Sequence, residues 1–213
     1  MQRWKRGGGL GSRTSQSRSS QRCAMRLFVA INLPAETREA LYADAAHLRS
    51  ATTSVRWTPA ASLHVTLKFL GEQDEAVVTQ LTTALAGVAR KHRSFDAQTT
   101  GVGAFPNFRR PRVVWVGMTG ETELRAIVRD IDAAFTPLGI APESREFRAH
   151  LTLGRVKGEV SAAEGAALTA AARQALPTRS VSVHTIDLMR SELGPGGSRY
   201  SLLAAVPLHV RGS

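Results

Sequence analysis

The chain has 213 residues, 43% of them hydrophobic, enough to bury a core as one domain or as two small fused lobes. No apolar run approaches the roughly 20 residues that span a bilayer, and the basic N-terminus is not followed by the apolar stretch of a secretory signal. Cys23 is the single cysteine, which excludes an intrachain disulfide and fits a reducing cytoplasm.

The net charge of +11 is unevenly placed. Arg3, Lys5, Arg6, Arg13, Arg18 and Arg22 meet no acid within residues 1–24, and removing those six from +11 leaves +5 for residues 25–213. That remainder suits a polyanionic substrate and, equally, an ordinary soluble surface. Residues 1–24 are rich in Gly, Ser, Arg and Gln and hold too little apolar surface to offset ordering entropy, so a disordered basic tail is expected. It is either an extension ahead of a start at Met25 or a basic RNA-binding arm.

Periodic structure begins at Met25, and residues 25–213 are expected to form the folded domain. Residues 26–32 (RLFVAIN) read as a buried strand. Pro34 then sits near the first turn of a helix running to about residue 49, with Leu41, Ala45 and Leu48 on one face. Residues 55–57 and 63–70 read as strands. A helix over 74–91 carries the stripe Val77, Val78, Leu81, Leu85 and Val88. Strands follow over 95–104 and 112–118, separated by a Phe-Pro-Asn-Phe-Arg-Arg-Pro loop. Residues 122–138 form an amphipathic helix on Leu124, Ile127, Val128, Ile131 and Phe135. A strand covers 147–156. Ser161 and Glu164 make a capping box for an Ala-rich helix to Leu176. Strands over 181–190 and 199–206, joined by a Gly-Pro-Gly-Gly turn, close the chain. Strand pairs between helices exclude a strict βαβ winding. They predict an α+β fold with helices outside antiparallel or mixed sheets.

Inside this pattern lies a short repeat, Leu63-His64-Val65-Thr66-Leu67 and Ala149-His150-Leu151-Thr152-Leu153. Random placement of these residue types gives far less than one such match. On a strand, His64 and Thr66 share one face and Val65 and Leu67 the other, and likewise for His150 and Thr152 against Leu151 and Leu153. A lone motif of this kind reads best as a structural histidine; the pair reads as a catalytic constellation. Displacement at phosphorus needs a base on the attacking oxygen and an acid on the leaving one, and two imidazoles supply both near neutrality. Threonine hydroxyls two residues on can donate to the non-bridging phosphate oxygens. Strict alternation puts Arg155 on the face away from His150, so a bulge near Gly154, or the strand's end, would have to bring it to the phosphate, and a solvated arginine is an equal expectation.

The rivals are weaker. There is no His-x-His, His-Glu-x-x-His or cysteine cluster for zinc, and no Gly-x-Ser-x-Gly for a serine nucleophile. No metal site is expected. His47, His92, His184 and His209 stand in no repeated context and read as structural or surface residues.

At these residues the sequence resembles the 2H phosphoesterase superfamily, named for paired His-x-Thr motifs, and within it the RNA 2′,3′-cyclic phosphodiesterases, also called 2′-5′ RNA ligases. The likeness extends to Arg26-Leu-Phe-Val-Ala-Ile-Asn-Leu-Pro34, to Arg56-Trp57 ahead of His64-Val-Thr-Leu-Lys-Phe-Leu-Gly-Glu72, to Gly103-Ala-Phe-Pro106 with Arg110-Pro-Arg-Val-Val-Trp-Val-Gly117, and to His150-Leu-Thr-Leu-Gly-Arg155. The resemblance implies a bilobal α+β fold, two pseudo-symmetric lobes with outer helices around a central groove. It implies hydrolysis of RNA 2′,3′-cyclic phosphate ends to 2′-phosphomonoesters without metal or nucleotide cofactor. It also assigns His64 as proton donor and His150 as proton acceptor, a distinction the near-equivalent motifs themselves do not make. Thr66 and Thr152, with Arg155, would hold the phosphate.

Phe69 and Phe105 are candidates for stacking on a base, with core packing the stronger expectation for both. Arg109, Arg110 and Arg112 are candidates for an RNA path, with a solvated loop and strand edge an equal expectation, and Tyr200 for closing the groove, with a structural role the stronger expectation. The implied partner is RNA with a cyclic phosphate end, tRNA fragments among the candidates; no membrane or obligate protein partner is expected, and a cytoplasmic monomer is. Alternatives are a phosphoesterase for small cyclic phosphates or 2′-5′ oligonucleotides, and a non-catalytic RNA-binding module.

Overall fold

The structure is a computed structural model and describes residues 24–194 and 197–209. The expected basic tail, apart from Ala24, and the middle of the Gly-Pro-Gly-Gly turn lie outside these residues. The elements follow the expected order. They are β1 (Ala24–Asn32), α1 (Ala35–Asp44), α2 (Ala46–Ser50), β2 (Val55–Trp57), β3 (His64–Asp74), α3 (Val78–Ala89), β4 (Phe95–Phe105), β5 (Val113–Met118), α4 (Glu121–Phe135), β6 (His150–Val156), α5 (Ala162–Ala172), β7 (Ser180–Val183), β8 (Thr185–Gly194) and β9 (Gly197–Pro207). The helix expected to reach residue 49 is interrupted at Ala45. The Ser161–Glu164 capping box is formed in both directions.

The strands make one sheet in the order β7-β4-β5-β6-β3-β1-β8-β9, with β2 attached to β6. Every pairing between these strands is antiparallel, so the mixed alternative falls away. The order reads symmetrically outward from the β3–β6 junction: β3, β1, β8 and β9 on one side, β6, β5, β4 and β7 on the other. These are the two lobes. Residues 181–190, expected as one strand, divide into β7 on the outer edge of one lobe and β8 inside the other. The phase of alternation slips between Val183 and Ile186, both fully buried, and the chain crosses from lobe to lobe at that slip.

Helices cover one face. α3 packs on β8, β9 and α4, and α4 touches β3; α5 packs on β4 and α2. The expected helical stripes point inward: Leu41, Leu48, Leu81, Leu85, Leu124, Ile127, Ile131 and Phe135 are almost wholly shielded, together with Val65 and Leu151 from the two motif strands. The opposite face carries a much smaller apolar cluster of Phe28, Ala30 and Met189 with Tyr200 against it, and it is on this face that the motif histidines stand.

Candidate active site

The two motif strands meet at a single pair, Val65 with Leu151. Beyond it β3 departs, and β2 takes its place alongside β6, pairing Trp57 with Gly154. In an antiparallel register this one pair sets four side chains at the corners of a rectangle. His64 lies opposite Thr152, and Thr66 opposite His150. The histidines occupy one diagonal and the threonines the other. Diagonal neighbours in a sheet lie about 7–8 Å apart, room for a phosphate between two imidazoles.

Both rings are held the same way. His64 Nδ1 donates to the Ser62 carbonyl at 2.8 Å, and His150 Nδ1 donates to the Arg148 carbonyl at 2.7 Å. A carbonyl can only accept, so the proton of each neutral ring sits on Nδ1 and Nε2 is left with its lone pair. The Thr66 hydroxyl lies 3.1 Å from His64 Nε2 and donates to it in that state. Aromatic rings collar each imidazole. Around His64 stand Phe28 at 5.0 Å and Tyr200 edge-on at 4.9 Å between ring centres. Around His150 stand Phe105 at 5.1 Å and Trp115 at 6.2 Å. Gly103 makes room for that indole: a Cβ there would lie 2.2 Å from the Trp115 ring.

Burial pushes both histidines below their ordinary imidazole value. The carbonyl bonds oppose this shift, and the Arg155 cation adds to it at both rings. His150 adds a further lowering at His64.

Arg155 reaches the site through a bulge. β5 pairs Trp115 with Thr152 and Val114 with Gly154, so Leu153 has no partner and the face of every later residue is reversed. Arg155, opposite Val113 on one side and Arg56 on the other, thereby joins His150 and Thr152 on the groove face. Gly154 permits the crossing of three strands here, since a Cβ would meet Val55 Cγ1 at 2.5 Å and the Arg56 carbonyl at 3.0 Å.

The first motif repeats the device. β1 pairs Ala30 with Thr66 and Val29 with Lys68, leaving Leu67 unpaired. Lys68 turns into the core, where its ammonium bonds Asp132 and, at 2.7 Å, the Ala141 carbonyl. Phe69 consequently faces the groove and is 60% exposed. Core packing, the stronger expectation for Phe69, is corrected: strict alternation would have buried it, and the bulge does not. Each bulge falls on the motif leucine, and the residue two further on, Phe69 in one lobe and Arg155 in the other, is delivered to the groove.

Two clefts meet at Thr66, Phe69, Thr152 and Arg155. A smaller one of about 440 Å³ lies on the His64 side and includes Arg26, Phe28, Ser62 and Tyr200. A larger one of about 1200 Å³ lies on the His150 side and includes Phe105, Arg110 and Arg112. Phe105 is half-buried against Trp115 and His150, serving as a wall of the site and packing at once. Of the three arginines expected along an RNA path, Arg109 is not on either cleft.

The remaining histidines stay clear of both clefts. His92 pairs with Asp130 at 2.9 Å and His47 bonds the Asp44 carbonyl at 3.0 Å. The supporting parts that sequence reasoning missed are the Ser62 and Arg148 carbonyls, the collar residues Phe28 and Trp115, and Arg145 and Arg148 on the larger cleft. The carbonyls had a signal, standing two residues before each histidine; Arg145 follows α4 in a stretch without periodicity, and Arg148 lies in the span expected as a strand over 147–156, which begins only at His150.

Among the described residues, no group of three or more His, Cys, Asp or Glu stands where it could hold a metal ion. No described helix is long and apolar enough to cross a membrane.

An antiparallel sheet that sets two histidines with carbonyl-bound Nδ1 beside two threonines at the junction of two clefts has the make-up of a two-histidine phosphoesterase. A profile of the 2′-5′ RNA ligase superfamily matches residues 37–195, and the chain belongs to that superfamily. It is 33% identical to the RNA 2′,3′-cyclic phosphodiesterase of Methanothermobacter thermautotrophicus over 83% of this chain and 95% of that protein. It is 38% identical to the enzyme of the same name from Aeropyrum pernix over 68% of this chain and 81% of that one. Among solved structures it is similar to TT0787 of Thermus thermophilus, with a TM-score of 0.72 and 29% identity, over 88% of this chain and all of that one. E. coli LigT complexed with 3′-AMP is similar at a TM-score of 0.67 and 28% identity, over 87% of this chain and 98% of that one.

Proposed function

We propose that this chain hydrolyses RNA 2′,3′-cyclic phosphate ends to 2′-phosphomonoesters with His64 and His150 as its acid–base pair. The observation that carries this reading is the shared lock on the two rings. Both spend Nδ1 on a backbone carbonyl, which leaves Nε2 for proton transfer, and the clefts they line meet at Thr66 and Thr152. Water attacks phosphorus as His150 Nε2 takes its proton. The bond from phosphorus to the 3′ oxygen breaks, and His64, protonated on Nε2, delivers the proton to that oxygen. Thr66 and Thr152 donate to the non-bridging oxygens, and Arg155 balances the charge that builds on them. The free site disfavours an imidazolium. A bound phosphodiester supplies the opposite charge that favours one, so the acid is charged as substrate arrives.

Phe69 offers the terminal base an exposed ring at the junction of the clefts, Phe105 walls the His150 side, and Tyr200 bounds the His64 side. The donor set is imidazole, hydroxyl and guanidinium, which needs no metal for this chemistry. The same reading has the enzyme acting as a monomer. It places the enzyme in the cytoplasm, on RNA ends left by cleavage through a 2′-hydroxyl, tRNA fragments among them.

The test is turnover of a short RNA ending in a 2′,3′-cyclic phosphate, with EDTA present. The expected product carries a 2′-phosphate. A 3′-phosphate product, or activity abolished by EDTA, contradicts the mechanism; RNA binding without turnover favours a binding module.

A further inference from the structure

The two clefts differ in charge as well as size. The smaller, at about 440 Å³, is of the size that holds one small ligand, roughly 300–1,000 Å³. The larger exceeds that range at about 1200 Å³, and arginine dominates its rim. Some of that charge is already spent. Arg125 is paired with Glu121 and with Glu146, each at 2.9 Å. Asp132, an acid on the same cleft, is held by Lys68. Among the described residues no ion pair forms at Arg110, Arg112, Arg145 or Arg148.

All four are exposed and come from two separate segments, the β4–β5 connection and the stretch between α4 and β6. They stand over apolar surface that includes Phe69, Phe105 and Phe147. Unpaired cations over aromatic rings are the combination that tracks a single-stranded nucleic-acid backbone while its bases stack. A mononucleotide held at the histidines has no phosphate left to meet these arginines; an oligonucleotide has one per residue.

We propose that the RNA strand upstream of the reacting nucleotide leaves the groove on the His150 side and lies across the Arg110–Arg112 and Arg145–Arg148 rims, so that the preferred substrate is a single-stranded oligonucleotide and not a cyclic mononucleotide. This rests on the cyclic phosphodiesterase reading above. It fixes which of the two clefts the chain occupies.

The experiment compares kcat/KM for an RNA of about ten nucleotides ending in a 2′,3′-cyclic phosphate with kcat/KM for a nucleoside 2′,3′-cyclic phosphate. The proteins are the full chain, its Arg112→Ala/Arg145→Ala variant and its Arg26→Ala variant, the last on the smaller cleft. The parent is expected to prefer the oligonucleotide, and the double substitution to lower that preference on the order of tenfold, while Arg26→Ala preserves it. A parent ratio near one, or a ratio unmoved by the double substitution, overturns the proposal. So does an Arg26→Ala loss equal to that of the double variant.

The path is read separately by anisotropy with a labelled decamer carrying a 2′-phosphate end, which requires no turnover. Losing two phosphate contacts should reduce the slope of log Kobs against log salt by about 1.4; an unchanged affinity and slope overturn the path. If the parent turns over neither substrate, the phosphodiesterase reading fails and the binding data still decide where RNA lies.

Discussion

The two lobes carry the same device and finish it with different residues. In the His64 lobe the bulge at Leu67 buries Lys68 against Asp132 and exposes Phe69. In the His150 lobe the bulge at Leu153 sets Gly154 beneath β2 and turns Arg155 into the groove. What is shared is what any phosphodiester needs: an imidazole locked by a carbonyl, and a hydroxyl across from it. What differs is what a particular substrate needs. An arginine answers a phosphate oxygen and a phenyl ring answers a base, so the unlike pair gives direction to a site whose reacting groups are nearly interchangeable.

The largest effect should come from the shared parts. His64→Ala and His150→Ala are each expected to lower kcat on the order of 10²-fold or more. Because the rings act as a unit, the double variant should lose much less than the product of the two. Steady-state rates on the cyclic-phosphate RNA decide this, and fully multiplicative losses would mean the histidines act independently.

The unlike parts come next, and they should fail in different ways. A hydrogen bond to a charged group contributes about 1.5–3 kcal/mol, so Arg155→Gln should lower kcat/KM roughly 10- to 10²-fold, with kcat carrying much of the loss. Phe69→Ala removes a stacking surface of about 1–3 kcal/mol and should appear mainly in KM. Matching kcat and KM changes for the two variants would erase the distinction between the lobes.

The smallest effect on turnover should come from Gly154→Ala, a change beneath the groove. The new methyl group has 2.5 Å to Val55 Cγ1, and overpacking of this kind costs about 1–3 kcal/mol. Denaturant unfolding should show that loss, with a fall in kcat/KM no larger than that of Arg155→Gln. Undiminished stability would mean that β2 yields at this crossing.

Much of this is legible in the sequence. Hydrophobic periodicity is a local signal, and the helical stripes through Leu81, Leu85 and Val88, and through Leu124, Ile127, Ile131 and Phe135, all point into the core. The two His-x-Thr-Leu strands were legible too, because one apolar face suffices to orient them. The faces of Phe69 and Arg155 were not, since a bulge is a relation between two strands: Leu67 is unpaired only against β1, and Leu153 only against β5. The sequence alone offered Gly154 as a hint for the second bulge and nothing comparable for the first. The charged rim of the larger cleft was legible in part. Arg110 and Arg112 sit in a recognisable loop, whereas Arg145 and Arg148 approach only because the connection from α4 folds back beside β6.

The most direct test of the two-histidine account is the pH dependence of kcat/KM for the parent, His64→Ala and His150→Ala. Both rings titrate below the ordinary value of about 6.5 in the free site. The parent should therefore give a bell on the acid side of that value, its two limbs belonging to the coupled pair. Activity falls at low pH as the base gains its proton and at higher pH as the acid loses one. His150→Ala should remove the acid limb and keep the basic one, and His64→Ala should do the reverse. Both limbs surviving unchanged in both variants would contradict the assignment of His64 as acid and His150 as base.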